Sequence, residues 1–270
     1  MDNTLDLRKG LYTPQPSKKA SQFLEDSVKS MNKDQKVFIV GICGGQGGGK
    51  TKLSKVLSKN IPHSAIIEER NFFKTLTTKR KLSAGDEPLA GEFGGYSKNR
   101  KLLLVELSNP KSYDYDKLYN TLKKLREGEA VVIKKFDEEE GQYTNEEITI
   151  NPEKISLVIV EGYFLFKDKN VRDLINLKIY SEIDDDIRLS RLLINENKFL
   201  NNNPVAFKNF FMIYEKYIKY SYEKYIEPSK QYAKIILPNY TVNEDQTIEG
   251  DETLELLITN LQNVAKRRRI

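Results

Sequence analysis

The chain has one cysteine, Cys43, and one histidine, His63, in 270 residues. A single cysteine excludes an internal disulfide and fits a reducing compartment. No run of about 18 apolar residues is present, which argues against a membrane-spanning helix. The opening MDNTLDLRKG is too polar for the apolar core of a secretory signal. A cytoplasmic location is the expectation. Net charge is also scarce: four of the five net positive charges come from Lys266, Arg267, Arg268 and Arg269. The body is therefore not a basic clamp for nucleic acid. The tail, residues 266–270, lacks interleaved aromatics and reads as solvated rather than as a nucleic-acid or nuclear-import patch. His63 follows Pro62 ahead of a short strand and reads as an exposed loop residue.

What the chain does have is enough apolar residues (39%) for a buried core. Residues 1–35, polar and carrying Pro14 and Pro16, read as a partly disordered arm with a short helix over 19–31. Strand-like runs follow at 37–43, 64–67, 131–136, 155–166, 177–183 and 233–238. Helical patterns lie over 50–60, 114–127, 184–198, 204–226 and 251–265. This alternation predicts an α/β domain over 36–265, a parallel sheet of about five strands flanked by helices. The stretch 79–108, with Gly85, Gly91, Gly94 and Gly95 among scattered charges, reads as a long surface loop or insertion. Aromatics at Phe207, Phe210, Phe211, Tyr214, Tyr217, Tyr222 and Tyr225 recur in steps of three and four and read mainly as packing. Asp114 or Asp116 is expected to cap the 114–127 helix, and Asp184, Asp185 and Asp186 open the next.

The strongest local signal is GGQGGGKT, residues 44–51, which fits G-x-x-x-x-G-K-[ST]. Gly44, Gly45, Gln46, Gly47, Gly48 and Gly49 would wrap backbone N–H groups round phosphate oxygens. Lys50 would meet the β- and γ-phosphates, and Thr51 would ligate Mg²⁺. A strand pattern directly before and a helical pattern directly after supply the context that the motif needs, with the helix N-terminus facing the anion. A nucleotide site is predicted. Glu161, ending the apolar run of LVIVEG, is the candidate metal carboxylate; the alternative is a surface turn before Gly162.

Six further segments join this loop in register: RNFFK (70–74), NPKSYDYDKL (109–118), LREGEAVVIKKFD (125–137), VIVEGYFLF (158–166), VRDLINLKIYSEIDDDIRLSRLL (171–193) and YIEPSKQYAKIILP (225–238). Together they resemble the uridine–cytidine kinase family, relatives of phosphoribulokinase among the P-loop kinases. The resemblance spans roughly 37–262, leaving out 79–108. It implies a five-stranded parallel sheet, ATP and Mg²⁺ as cofactors, and γ-phosphoryl transfer to the 5′-hydroxyl of a pyrimidine nucleoside. It also implies a homo-oligomer, and pyrimidine salvage as the setting. Such transfer needs positioning and charge neutralisation, with a carboxylate orienting the hydroxyl.

The departures from the family pattern cluster on the acceptor side. Arg70 stands where the family has its aspartate base, and arginine cannot accept a proton at physiological pH. Glu69, one residue earlier, is the candidate substitute base; the alternative is a solvated corner of Glu68, Glu69 and Arg70. Ser108-Asn109-Pro110 replaces the triplet whose aspartate holds the ribose, leaving Asn109 to hydrogen-bond a sugar. Phe136-Asp137 replaces a Tyr-Asp pair, keeping an aromatic wall. The family's base-reading histidine is missing. Arg188 and Arg191 match the family: Arg188 is assigned to substrate or phosphate contact and Arg191 to the base of a lid; in the alternative both pair with Asp184, Asp185 or Asp186. The lid itself, 195–203, keeps only Lys198. Three readings stay open: a divergent pyrimidine nucleoside kinase, a kinase for a different small acceptor, or an ATP-binding regulatory or scaffold protein. The first ranks ahead because the match runs through the whole domain.

Overall fold

The computed structural model describes residues 35–74, 98–238 and 252–267. The arm expected over 1–35, with its short helix, and residues 79–97 of the expected insertion lie outside the described residues, apart from Gln35.

Strand β1 (Phe38–Gly44) is buried along its whole length, as is β5 (Leu157–Gly162). Strands covered on both faces read as unbroken apolar runs rather than as alternation. These two pair in parallel, and β2 (Ser64–Glu68), β6 (Leu177–Glu182) and β7 (Ile235–Pro238) complete a five-stranded parallel sheet ordered β2-β5-β1-β6-β7. The expected sheet is therefore present. Helices α1 (Lys50–Asn60) and α7 (Glu252–Arg267) contribute Leu53, Leu57, Leu254, Leu257 and Leu261 to the face that receives Phe38, Val40 and Ile42. Helix α3 (Tyr115–Glu127) buries Leu118, Leu122 and Leu125 against the opposite face, which receives Ile39 and Cys43. Asp114, not Asp116, caps α3, accepting from Lys117 N at 2.9 Å.

Several expectations need correction. The 131–136 run is not part of the parallel sheet. It forms β3 (Val131–Asp137), paired antiparallel with β4 (Gln142–Ile150) in a separate hairpin. The C-terminal part of the 79–108 stretch is not loop but helix α2 (Lys98–Leu107). It packs Leu104 with Leu192 and Leu200 of α5 (Asp185–Leu200) and Phe210 and Ile213 of α6 (Pro204–Ile213). A short helix, α4 (Lys169–Leu174), precedes β6. The 204–226 pattern is α-helical only to Ile213; wider π-type turns run over Tyr214–Lys219 and Tyr222–Ile226. The lid stretch 195–203 is the end of α5 and a tight turn in which Asn201 and Asn202 adopt positive φ and Asn203 caps α6. His63 is exposed with φ 59°.

Helices α2 and α5 are locked together by a buried ion pair. Arg100 Nε donates to Glu196 Oε2 at 3.0 Å, and Arg100 Nη1 to the carbonyl of Glu138 at 2.8 Å. Arg100→Met would remove the cation and keep a buried carboxylate, which costs about 3–5 kcal/mol. The expected result is a lower urea midpoint with an unchanged slope; an unchanged midpoint would show that α2 is not held through this pair.

Candidate functional site

All the chemistry assembles at the C-terminal ends of β1, β5 and β2, beside the point where the chain changes direction across the sheet. Parallel α/β sheets form their ligand crevices at that point. Register does the placing: Cys43 lies opposite Gly162, and Glu68 opposite Glu161. The loop after β1 enters α1 through Gly49, whose φ of 76° is left-handed. Gly47 (φ 72°) is needed twice over, because a Cβ there would stand 2.4 Å from the Arg188 carbonyl oxygen.

Lys50 is buried; its Nζ donates to Gly45 O at 2.9 Å and stands 4.0 Å from the centre of the Tyr163 ring. Burial holds its ammonium down at about 8, against the opposing pull of the Glu161 carboxylate. Arg188 is the second cation over the loop. Its guanidinium stacks on Tyr222 at 3.6 Å and donates to Asp185 at 2.5 Å. It lies directly on Gly45, where a Cβ would meet Nη1 at 2.3 Å. Its Nε is buried without a partner among the described residues. The alternative pairing is present for Arg188, which goes to Asp185, whereas Arg191 Nη1 donates to Gly47 O at 3.3 Å.

Glu161 is buried rather than on a surface turn, and Thr51 Oγ1 donates to its Oε1 at 2.8 Å. Burial raises the Glu161 pKa, and Lys50 and Arg70 pull it back. A hydroxyl and a carboxylate side by side at a phosphate loop are the hard oxygen donors that suit Mg²⁺, which keeps waters and takes few protein ligands. Arg70 reaches the same place. Its Nη2 donates to Thr51 Oγ1 and to Glu161 Oε1, each at 3.3 Å.

Glu69 and Arg70 thus point to different parts of one site, and no solvated corner exists. Glu69 is 1% exposed. Its Oε2 accepts from Tyr163 N at 2.7 Å and Phe164 N at 3.0 Å, while Oε1 is buried with no partner among the described residues. Gly162 makes this possible, since a Cβ there would lie 2.3 Å from Glu69 Oε2. Burial raises the Glu69 pKa to about 7, with the two backbone N–H groups and Lys50 opposing.

The remaining acceptor-side residues are held by local contacts of their own. Asn109 caps a short turn, accepting from Lys111 N at 3.0 Å. Its neighbour Ser108 is the one that meets the phosphate loop, through Gln46 Nε2 at 3.3 Å. Phe136 is 3% exposed and packs against Phe73 and Tyr143, so it presents no open stacking wall. Asp137 caps the hairpin turn, accepting from Glu139 N and Glu140 N. A cleft of about 410 Å³ beside Phe73, Lys74 and Tyr143 contains none of the site residues expected from sequence.

Sequence reasoning named Glu68 only as part of a solvated corner and missed Glu138, both bonded to Arg70, and the Arg100–Glu196 strut behind them. The signal available was Arg70 itself, since a half-buried arginine at the end of a strand needs carboxylates.

The comparisons with known proteins agree with this fold. The model of the "Phosphoribulokinase / Uridine kinase family" matches residues 39–246. Uridine kinase of Staphylococcus haemolyticus is 28% identical over 235 residues, covering 85% of this chain and 98% of that protein. Uridine kinase of Streptococcus agalactiae is 28% identical over 238 residues, covering 86% and 99%. Among solved structures, D-glycerate 3-kinase of Cryptococcus neoformans superposes with a TM-score of 0.53 at 17% identity, over 86% of this chain and 97% of its own; this is a likeness of fold. Among the described residues no helix is long and apolar enough to cross a membrane. With its phosphate loop at the end of β1 and a family match over most of its length, the chain belongs to the phosphoribulokinase/uridine kinase family of small-molecule kinases.

Proposed function

We propose that the protein transfers the γ-phosphoryl group of ATP to a hydroxyl of a small acceptor, with the 5′-hydroxyl of uridine or cytidine as the first candidate. The observation that carries this reading is the convergence of Lys50 and Arg188 on the phosphate loop, with the Glu69 carboxylate beside it and one of its oxygens without a partner among the described residues. Lys50 would bind the β- and γ-phosphate oxygens, and Arg188 would hold charge on the transferring group through its unpartnered Nε. Arg191 would keep the loop closed through Gly47 O. Thr51 and Glu161 would hold Mg²⁺, which when bound would neutralise charge between the phosphates. Glu69, raised by burial to about 7, would accept the acceptor's proton near neutral pH.

A second reading keeps the transfer and changes the acceptor. It is favoured by the arrangement of Asn109, Asp137 and Phe136, two serving as turn caps and one as core, while Arg70 stands at the family's base position. ADP release with ATP and Mg²⁺ should be measured against uridine, cytidine, purine nucleosides and small hydroxy acids. Turnover with uridine or cytidine is the expected result. Turnover only with a non-nucleoside alcohol would select the second reading, and nucleotide binding without turnover on any acceptor would reject both.

A further inference from the structure

Arg70 has three carboxylate partners. It forks onto Glu68, with Nε at 3.1 Å from Oε2 and Nη2 at 2.9 Å from Oε1. Its Nη1 reaches Glu138 at 2.5 Å on the turn between β3 and β4. Nη2 also reaches Thr51 Oγ1 and Glu161 Oε1. The last two contacts carry the most chemistry. The Thr51 proton is committed to Glu161 Oε1, so the lone pairs of Thr51 Oγ1 receive Arg70. A cation ligated by Thr51 and Glu161 would need those same lone pairs. The guanidinium is always charged and cannot be dismissed by deprotonation. Its fork on Glu68 and its bond to Glu138 fix it in place with charge-assisted hydrogen bonds.

We infer that Arg70 is a resident counter-ion competing with the divalent cation for Thr51 and Glu161. This rests on the phosphate-loop reading above and deepens it. Arg70 supplies positive charge to the nucleotide site permanently, so nucleotide binding depends only weakly on the metal. Metal enters the Thr51–Glu161 pair only when Arg70 withdraws onto Glu68 and Glu138.

The test uses the full chain and its Arg70→Gln variant. Binding of Mn²⁺ alone is followed through the spin-resonance signal of the free ion. One charge-assisted contact displaced at each ligand predicts that Arg70→Gln binds Mn²⁺ about tenfold or more tighter than the parent. Equal affinities, or no saturable binding by either protein, would overturn the inference. Should Arg70→Gln not fold, Glu138→Gln serves instead. It removes one of the two carboxylates onto which Arg70 withdraws without touching Thr51 or Glu161, and the inference then requires its Mn²⁺ affinity to fall below the parent's; no fall overturns it. A fluorescent ADP analogue titrated in chelator and in Mg²⁺ separates this from the broader reading. Absence of nucleotide binding in both conditions defeats the phosphate-loop reading, whereas the Mn²⁺ comparison still decides Arg70.

Discussion

Lys50→Ala is expected to reduce phosphoryl transfer by at least about 10²–10³-fold, the loss measured when one fixed electrostatic contact to a developing charge is removed. The reason lies in what surrounds the ammonium. Lys50 is buried and points across the loop to Gly45 O, so it is already aimed where a phosphate chain would lie. Burial holds its pKa down at about 8, from 10.5, despite Glu161. Because the folded value lies below the unfolded one, stability rises with pH between about 8 and 10.5, and near neutrality the buried charge carries a cost. Alanine removes that cost but also the cation that opposes the rise in the Glu161 and Glu69 pKa values, so the variant's urea midpoint is measured beside its turnover to separate lost chemistry from lost fold. Two measurements check this. ADP release should fall, and the rise in thermal midpoint given by ATP in the parent should vanish in the variant. Turnover within tenfold of the parent would remove Lys50 from the transfer step.

The parts of the fold legible in the sequence were those whose local physics leaves few options. Phe38–Gly44 and Leu157–Gly162 are covered on both faces, and only a continuous apolar run satisfies that. The phosphate loop was legible because Gly47 and Gly49 take left-handed φ where a side chain is strained. What escaped was what tertiary partners decide. Gln142–Ile150 is largely polar and lies in a two-stranded hairpin, so it carries no apolar alternation. Helix Lys98–Leu107 bunches Leu102, Leu103, Leu104 and Val105 together instead of spacing them by three and four, and its neighbours are glycine-rich. The site divided along the same line. Lys50, Thr51, Glu161 and Arg188 sit on the loop, the strand end and the helix that the pattern assigned them. The acceptor side was not legible, because whether Phe136 faces a ligand or Tyr143 depends on how the hairpin folds over it. Arg70 announced a change of chemistry in the sequence, but its partners Glu68, Glu138 and Glu161 come from three separate strands or turns.

Glu69→Gln is expected to lower turnover by about 10²–10⁴-fold, the range for removing a positioned general base, and to make the folded protein more stable above neutral pH. Both effects follow from one environment. Burial raises the Glu69 pKa to about 7 from 4.5, so the folded state favours the protonated acid. The stability associated with that proton is complete below about 4.5 and is lost as pH rises through about 7. The difference of about 2.5 units corresponds to roughly 3 kcal/mol once the carboxylate is ionised. Glutamine stays neutral and still offers an oxygen to Tyr163 N and Phe164 N, so it keeps the turn after β5 without the ionisation cost. The parent's urea midpoint should therefore fall between pH 5 and pH 8 more steeply than the variant's. In the parent, turnover should rise with pH through about 7 as Oε1 becomes able to take a proton, and the variant's residual activity should lack that rise. Among the described residues, Glu69 Oε1 is a buried carboxylate oxygen with no hydrogen-bond partner. If Glu69→Gln gains stability at pH 8 yet keeps parental turnover, the carboxylate holds the turn only, and the acceptor's proton leaves by another route.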